Sequence, residues 1–182
     1  MIFEPCKSVF VSEYYKDVNF HKSNGTLHIG RFQGVGDSYR SLMRFDLSNL
    51  ANDDFDKAYL IIDINRNEIS QGSSPVGIYP ILQDWNEKDI TWGSALAKAK
   101  VPELAFTVVF GWIGLLIVDL TQLVHRWLDY TYPNYGIVLV GDETLDSLIS
   151  VNNPAPISAD RGPYILTGKN NVENLIEDGI KE

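Results

Sequence analysis

Residues 39–48 constrain the fold more than any other stretch, because their side chains alternate at a period of two. One face of the segment carries Tyr39, Ser41, Met43, Phe45 and Leu47. The other face carries Arg40, Leu42, Arg44 and Asp46. Successive side chains of a strand point to opposite faces, so the pattern predicts a half-buried β-strand. Because an acidic loop follows it, we interpret this segment as a central strand of a sheet sandwich.

The rest of the chain contains further short β-prone runs, which are separated by Gly, Asn and Pro turns. Nine such runs span residues 8–12, 26–32, 59–65, 76–82, 104–110, 113–118, 135–140, 148–151 and 164–167. We predict that the two runs within 104–118 pair with each other, joined at Gly111-Trp112. The one convincing helix is predicted over residues 120–128, with Asp119 as N-cap and Gln122 completing a capping box. The sequence therefore predicts an all-β, antiparallel β-sandwich with one short helix.

The length of 182 residues fits one domain with extensions. We predict a sandwich domain over residues 8–167, an N-terminal extension over 1–7 and a C-terminal tail over 168–182. In the tail, apolar residues recur at helical spacing between acidic ones, at Val172, Leu175 and Ile176.

The net charge of −9 limits the partners that this chain can bind. Nucleic acids and anionic membrane surfaces need a basic protein surface, so neither is expected as a partner. The apolar run over residues 104–120 has the length of a membrane span, but its alternation favours strands. The first six residues lack a basic start and a long apolar run, so we expect no Sec-type signal peptide.

No catalytic pattern is found in the sequence. The three histidines, His21, His28 and His125, lack metal-ligand spacing, and no nucleophile elbow accompanies them. A phosphate loop and a dinucleotide fingerprint are also missing. We therefore predict that the protein is not an enzyme and needs no cofactor, with calcium left open.

Several segments of the chain form a recognisable series. Residues 39–47 are the first, and residues 85–92, with a tryptophan, an acidic residue and a Thr-Trp pair, are the second. Residues 119–124 and 134–137, with a tryptophan between them, are the third. In this order the segments resemble the three motifs of the DNRLRE domain family, the first being its defining motif. The motif and core residues that we predict are Tyr39, Arg40, Phe45, Trp85, Trp92, Trp127 and Tyr135.

The resemblance implies a jelly-roll-like β-sandwich and a non-catalytic module of bacterial and archaeal surface or secreted proteins. Related sandwiches include carbohydrate-binding modules. Because the module stands nearly alone and no signal peptide is expected, we predict a structural protein. It would self-assemble into a layer or fibre at a bacterial or spore surface, which it reaches without a Sec signal. The alternative is a carbohydrate-binding or adhesive module.

Two groups of carboxylates are candidate sites. Residues 84–89 place acidic side chains beside Trp85 and Trp92, which suits a sugar or a Ca²⁺ ion. The interpretation that we favour makes both tryptophans core residues and pairs the carboxylates with Arg40 or Arg44. A second cluster, Asp53, Asp54 and Asp56, is a weak calcium candidate, and a solvated loop is the favoured alternative.

Exposed aromatic residues and the chain termini are the candidate contact surfaces. The tyrosines in question could stack on sugar rings or form a subunit interface: Tyr14, Tyr15, Tyr59, Tyr79, Tyr130 and Tyr132. Cys6 is a buried apolar residue, a free thiol or an intermolecular link. We predict that the termini dock on a neighbouring copy through Ile2, Phe3, Cys6, Val172, Leu175, Ile176 and Ile180, the alternative being that they pack on their own domain.

Overall fold

The computed structural model describes residues 1–21, 25–69, 72–94, 113–153 and 162–169, and the backbone of residues 105–110. These residues form eleven strands, one α-helix and a short 3-10 turn at Asn52–Asp54. The strands are β1 (Ile2–Phe3), β2 (Pro5–Ser12), β3 (Gly25–Arg31), β4 (Ser38–Phe45), β5 (Lys57–Asn67), β6 (Ser73–Pro80), β7 (Ala105–Phe110), β8 (Gly114–Asp119), β9 (Ile137–Val140), β10 (Ile149–Asn153) and β11 (Tyr164–Gly168). The helix, α1, spans Thr121–Leu128.

The strands form one antiparallel sheet that curls into two layers. In the first layer β5 pairs with β8 along one edge and with β11 and β10 along the other, and β1 extends β11. The second layer has the order β2-β4-β9-β6-β7. Strand β3 joins the layers, because it pairs with β10 and, at its last two residues, with β4. The predicted all-β fold is confirmed.

The core lies between the two layers, and β4 contributes to it as its alternation predicts. Met43 and Phe45 point into the main core, whereas Leu42 points outward into a second apolar cluster. Strand β5 faces β4 across the core with Leu60 and Ile62. Each fully buried side chain of this size contributes about 1.5–3 kcal/mol. The predicted central strand is therefore confirmed.

The prediction that the two runs within residues 104–118 pair with each other is wrong. Strand β7 pairs with β6 in the second layer, and β8 pairs with β5 in the first layer. Alternation shows that a strand has one buried face, but it does not show which neighbour the strand bonds. Here each strand extends the edge of a different layer. The proposed joint at residues 111–112 lies outside the described residues.

The helix begins one residue later than predicted and is capped differently. Leu120 occupies the N-cap position and makes no side-chain cap. Asp119 instead accepts a hydrogen bond from the Thr121 backbone N–H at 2.8 Å. The predicted capping box with Gln122 is therefore wrong. The apolar spacing was interpreted correctly, because Leu123, Val124 and Trp127 are buried and join the main core.

The N-terminal residues are part of the sheet. Ile2 pairs with Leu166 and Phe3 pairs with Ile165 of the same chain, and β2 already begins at Pro5. Residues 1–7 thus add strands to the sheet, and the division into an extension over 1–7, a domain over 8–167 and a tail over 168–182 stays a prediction. The described part of the C-terminal tail is residues 168–169, of which Gly168 ends β11. Its apolar residues, Val172, Leu175, Ile176 and Ile180, lie outside the described residues.

Tyr39 gives the fold a dependence on alkaline pH. Burial, assisted by a hydrogen bond with Asp37, raises the pKa of Tyr39 from 10.0 to about 12. Because the folded-state pKa is the higher one, the stabilisation is complete below pH ~10 and is lost as the pH rises towards ~12. We therefore expect the wild type to lose stability relative to Tyr39→Phe as the pH rises from ~10 towards ~12, as urea unfolding midpoints can measure. If the difference in unfolding free energy between the wild type and Tyr39→Phe stays constant over this pH range, the raised pKa of Tyr39 is contradicted.

Candidate functional site

One end of the sandwich holds an open cleft of about 640 Å³, which we call the helix-end cleft. It lies between the end of β4 with its following loop and the end of α1 with its following turn. The described residues that line it are Cys6, Arg44, Phe45, Asp46, Leu47, Ser48, Leu50, Ala51, Asn52, Trp127, Leu128, Tyr130 and Asn134. The lining therefore combines aromatic rings with small polar side chains.

The turn after α1 shapes one rim of the cleft. The helix ends when the Asp129 N–H bonds the His125 carbonyl, and the Asp129 carboxylate accepts the Thr131 N–H at 2.8 Å. Between Asp129 and Thr131, Tyr130 takes the left-handed backbone conformation, with φ 61°. This conformation costs a non-glycine residue about 1–2 kcal/mol.

Tyr130 holds a ring in solvent at this rim. The residue is 89% exposed, although large aromatic side chains usually bury their rings. Because helices commonly end in a left-handed residue directly after the C-cap, the backbone of Tyr130 reflects the end of α1. The exposed ring beside the cleft is the observation that marks a candidate contact surface.

Two polar atoms on residues that line the cleft have no hydrogen-bond partner within the described part of the chain. They are Nε1 of Trp127 and Oδ1 of Asn134. Trp127 is only 3% exposed, so its N–H is withdrawn from water. The amide of Asn134 is oriented by the bond from its Nδ2 to the Phe45 carbonyl at 2.9 Å. Two other such atoms, Ser74 Oγ and Thr167 Oγ1, belong to residues outside the cleft lining.

The charges of the cleft are few. Arg44 and Asp46 are the charged side chains among the described residues that line it. The Arg44 guanidinium lies 3.3 Å from Asp84 and 5.6 Å from the centre of the Tyr135 ring. Hydrogen bonding from Ser48 holds the pKa of Asp46 below its usual range, so this carboxylate stays ionised at neutral pH.

The family motifs form a packed layer on the outer face of β4 that lies next to the cleft. Arg40 stacks over the Trp92 ring at 4.7 Å and donates two hydrogen bonds to Glu143, at 2.6 and 2.9 Å. Trp85 is buried, and its Nε1 donates to the Tyr135 carbonyl at 2.8 Å. The interpretation of the tryptophans as core residues is confirmed, as is the pairing of a neighbouring carboxylate, Asp84, with Arg44.

Arg40 should therefore be a structural residue. We expect Arg40→Lys to cost about 1–3 kcal/mol, because lysine keeps the charge but loses the forked bond to Glu143 and the flat contact with Trp92. Arg66→Lys is the matched control, since Arg66 also combines a carboxylate, Glu68, with an aromatic ring. The Arg40 side chain is 12% exposed and that of Arg66 is 46% exposed, so the control should cost under ~0.5 kcal/mol. Equal losses in thermal or urea unfolding would contradict this role.

The acidic calcium candidates are not assembled into a site among the described residues. No three His, Cys, Asp or Glu side chains of that part of the chain lie close enough to hold a metal ion. Asp53 and Asp54 belong to the 3-10 turn, where Asp54 accepts the Ala51 N–H at 2.8 Å. Asp56 is exposed. Calcium binding at Asp53, Asp54 and Asp56 stays a prediction.

The tyrosines are divided between the surface and the interior. Tyr14, Tyr15 and Tyr130 are exposed, Tyr59 is buried, and Tyr79 and Tyr132 are half-buried. Tyr14 and Tyr15 contact each other edge to face at 4.8 Å, in the loop that follows β2. The start of β2 lies beside the helix-end cleft, because its second residue, Cys6, lines the cleft. The Tyr14–Tyr15 pair follows the other end of β2 and therefore lies towards the opposite end of the sandwich. The described tyrosines therefore do not form one aromatic platform.

Cys6 is exposed, so its interpretation as a buried apolar residue is wrong. A free thiol and an intermolecular link both stay open as predictions. Its Sγ lies 3.4 Å from the Arg44 carbonyl, and it lines the cleft. Ile2 and Phe3 have partners within the chain. Docking of the termini on a neighbouring copy stays a prediction.

Within the described residues the structure contains no helix with the length and hydropathy that crossing a membrane requires.

The cleft is not predicted by the sequence. Trp127 has the spacing of a core residue, Tyr130 is one of six tyrosines that the sequence does not separate, and Asn134 is predicted only as part of the third family motif. The only available signal was the turn sequence of residues 129–134, which combines Asp, Asn and Pro with two tyrosines.

The comparisons with known proteins point to one family. The profile of carbohydrate-binding module family 96 matches residues 1–155, which is most of the chain and includes the three sequence motifs and the residues of the cleft. A search of curated proteins found no match to the chain. The match supports the alternative of the sequence analysis, a carbohydrate-binding module, better than a structural protein. Self-assembly into a layer or fibre stays a prediction, and the DNRLRE name stays a resemblance. The chain belongs to carbohydrate-binding module family 96.

Proposed function

We propose that this chain binds a glycan in the helix-end cleft, without catalysis, outside the cell or at its surface. The observation that supports this most strongly is the chemistry of the cleft: an exposed aromatic ring, Tyr130, stands beside neutral hydrogen-bonding side chains. Ligand sites commonly combine aromatic surface with a few placed polar groups. A sugar matches both features, because its ring has an apolar C–H face and a rim of hydroxyls.

The unpaired polar atoms extend this argument. A hydroxyl group is both a donor and an acceptor, so it can accept from the Trp127 N–H or donate to Asn134 Oδ1. Both atoms lie under the surface of the cleft, so a ligand reaches them when the rim side chains shift. An unpaired buried polar group costs about 1–3 kcal/mol, and a ligand that satisfies it recovers that energy.

Trp127→Phe tests this contact. The substitution keeps a buried aromatic ring and removes the N–H, so we expect glycan affinity to fall about tenfold. The free protein loses ring volume but no hydrogen bond. Affinity is measured by calorimetry with the oligosaccharide that binds best in a panel of plant, fungal and bacterial polysaccharide fragments.

Trp85→Phe is the matched control. It removes the same part of an equally buried ring, but the N–H of Trp85 is already bonded to the Tyr135 carbonyl. We expect this variant to lose about 1 kcal/mol more stability than Trp127→Phe and to keep its affinity. If Trp85→Phe loses glycan affinity and Trp127→Phe does not, the ligand binds outside the helix-end cleft. A panel in which no glycan binds would contradict the proposed function.

A further inference from the structure

We infer that residues 170–182 of the C-terminal tail dock on their own chain, where they cover an apolar face on the outer side of the first layer. The inference goes beyond the proposed function, because this face shares no residue with the described lining of the helix-end cleft. Of the two alternatives predicted for the tail, it selects packing on the tail's own domain. The tail lies outside the described residues, and the face lies within them.

A third apolar cluster lies on the side of the first layer that faces away from the core. Its members are Tyr59, Ile61, Ile117, Tyr164 and Leu166. Residues that alternate with them along the strands, such as Leu60 and Ile165, belong to the main core instead. All five members come from β5, β8 and β11, which are neighbours in one layer, so the cluster has one side only. We call it the outer apolar face.

The centre of the outer apolar face is withdrawn from water. Ile61 stands between Tyr164 on β11 and Ile117 on β8, and it is 2% exposed. Tyr59, two residues earlier on the same side of β5, is 8% exposed. The flanking Tyr164 and Ile117 are half-buried. Because a sheet face that meets water usually carries polar side chains, apolar residues this deeply buried fit a covered face.

The tail has the pattern of a segment that covers such a face. Its apolar residues recur at i, i+3, i+4 and i+8: Val172, Leu175, Ile176 and Ile180. On a helix they fall within an arc of about 140°, and Glu173, Glu177 and Asp178 lie outside that arc. A helix of about nine residues is marginal in water by itself, so it depends on a surface against which its apolar side can pack.

The connection and the size of the face favour the chain's own tail over a second copy. Strand β11, which supplies Tyr164 and Leu166, ends at Gly168, two residues before the tail begins. A segment tethered this closely has an effective concentration of about millimolar. The face spans three strands, roughly 15 Å, which is about the length of a nine-residue helix. A stable contact between two copies needs about 800 Å² from each partner, which is more than a face of this width provides.

Amide hydrogen exchange of the full chain, followed by mass spectrometry, tests this docking. We expect the amides of residues 172–180 to exchange at least about tenfold more slowly than in Leu175→Asp, which places a charge within the apolar arc. Asn174→Asp is the matched control, because it adds the same charge at the neighbouring position outside the arc, and it should keep the protection. The protection should be equal at about 1 and about 100 μM protein, because the contact lies within one chain.

Ile117→Thr identifies the surface on which the tail docks. Threonine keeps the β-branched shape that suits β8 and places a hydroxyl in the outer apolar face, so we expect the protection of the tail to fall severalfold. Val140→Thr is the matched control, since Val140 is a half-buried residue on the outer side of the second layer. It should leave the tail protected. The amides of β4 should keep their protection in every variant, which shows that the sandwich stays folded.

Four outcomes would overturn the inference. The first is exchange of the wild-type tail at the rate of an unstructured peptide, and the second is equal loss of protection in Leu175→Asp and Asn174→Asp. The third is protection that rises with protein concentration, which would mean docking on a neighbouring copy. The fourth is loss of protection in Leu175→Asp but not in Ile117→Thr, which would place the tail on another surface. None of these measurements contains a glycan, so calorimetry tests the proposed function separately.

Discussion

Tyr130→Gly should weaken glycan binding by about tenfold while the free protein becomes as stable as the wild type or up to ~1 kcal/mol more stable. The two effects have different causes. The affinity falls because the exposed ring that contacts the sugar is gone. The stability is kept or gained because glycine accepts φ 61° without strain, which offsets the greater entropy of glycine in the unfolded chain.

Two controls separate the effect of losing the ring from the effect of changing the backbone conformation. Tyr130→Ala removes the ring and keeps the left-handed strain, so we expect the same loss of affinity with no gain in stability. Tyr14→Ala removes a tyrosine that is 68% exposed in the loop after β2, and it should leave the affinity unchanged. If Tyr14→Ala weakens binding and Tyr130→Ala does not, the glycan binds at the opposite end of the sandwich.

Gly136→Ala should lower the free energy of unfolding by about 4 kcal/mol or more. Gly136 begins the stretch that leads into β9, with φ +97°. A Cβ there would collide with the backbone of β4, 2.8 Å from the Cα of Arg44 and 2.9 Å from the carbonyl carbon of Met43. Because both partners are backbone atoms of a central strand, neither can move aside cheaply.

Gly34→Ala is the control for this substitution. Gly34 also has a positive φ, of 81°, but a Cβ at Gly34 meets no atom within 4 Å. We expect it to cost about 1 kcal/mol, which is the conformational strain alone. The free energies of unfolding of the two variants are compared by urea denaturation. Their difference gives the cost of the collision between the added Cβ and the β4 backbone. Similar losses would show that the contact with β4 does not constrain this position.

Much of the fold could be predicted because its strands bury one face each. The alternation over residues 39–48 identified β4 as a central strand, and its two faces lie in two different apolar clusters. The predicted pairing of β7 with β8 was wrong. The sequence cannot distinguish a hairpin from a crossing between layers when, as in β7 and β8, both alternatives bury an alternating strand.

The site was harder to predict because its defining features are geometric. The indole of Trp127 has the spacing of a core residue, and its unpaired N–H becomes visible only when its neighbours are placed. The left-handed conformation of Tyr130 follows from how the turn ends α1. The tryptophans and carboxylates of residues 84–92, which drew attention in the sequence, instead stabilise the face beside the cleft.

The location of the glycan can be measured most directly at Cys6, the single cysteine of the chain, whose exposed thiol lines the cleft. The rate at which a maleimide labels this thiol is followed with increasing amounts of the tightest-binding oligosaccharide. We predict that the rate falls in proportion to occupancy, and that protein labelled beforehand with a bulky maleimide no longer binds. A labelling rate that is unchanged at saturating oligosaccharide would contradict the helix-end cleft as the glycan site.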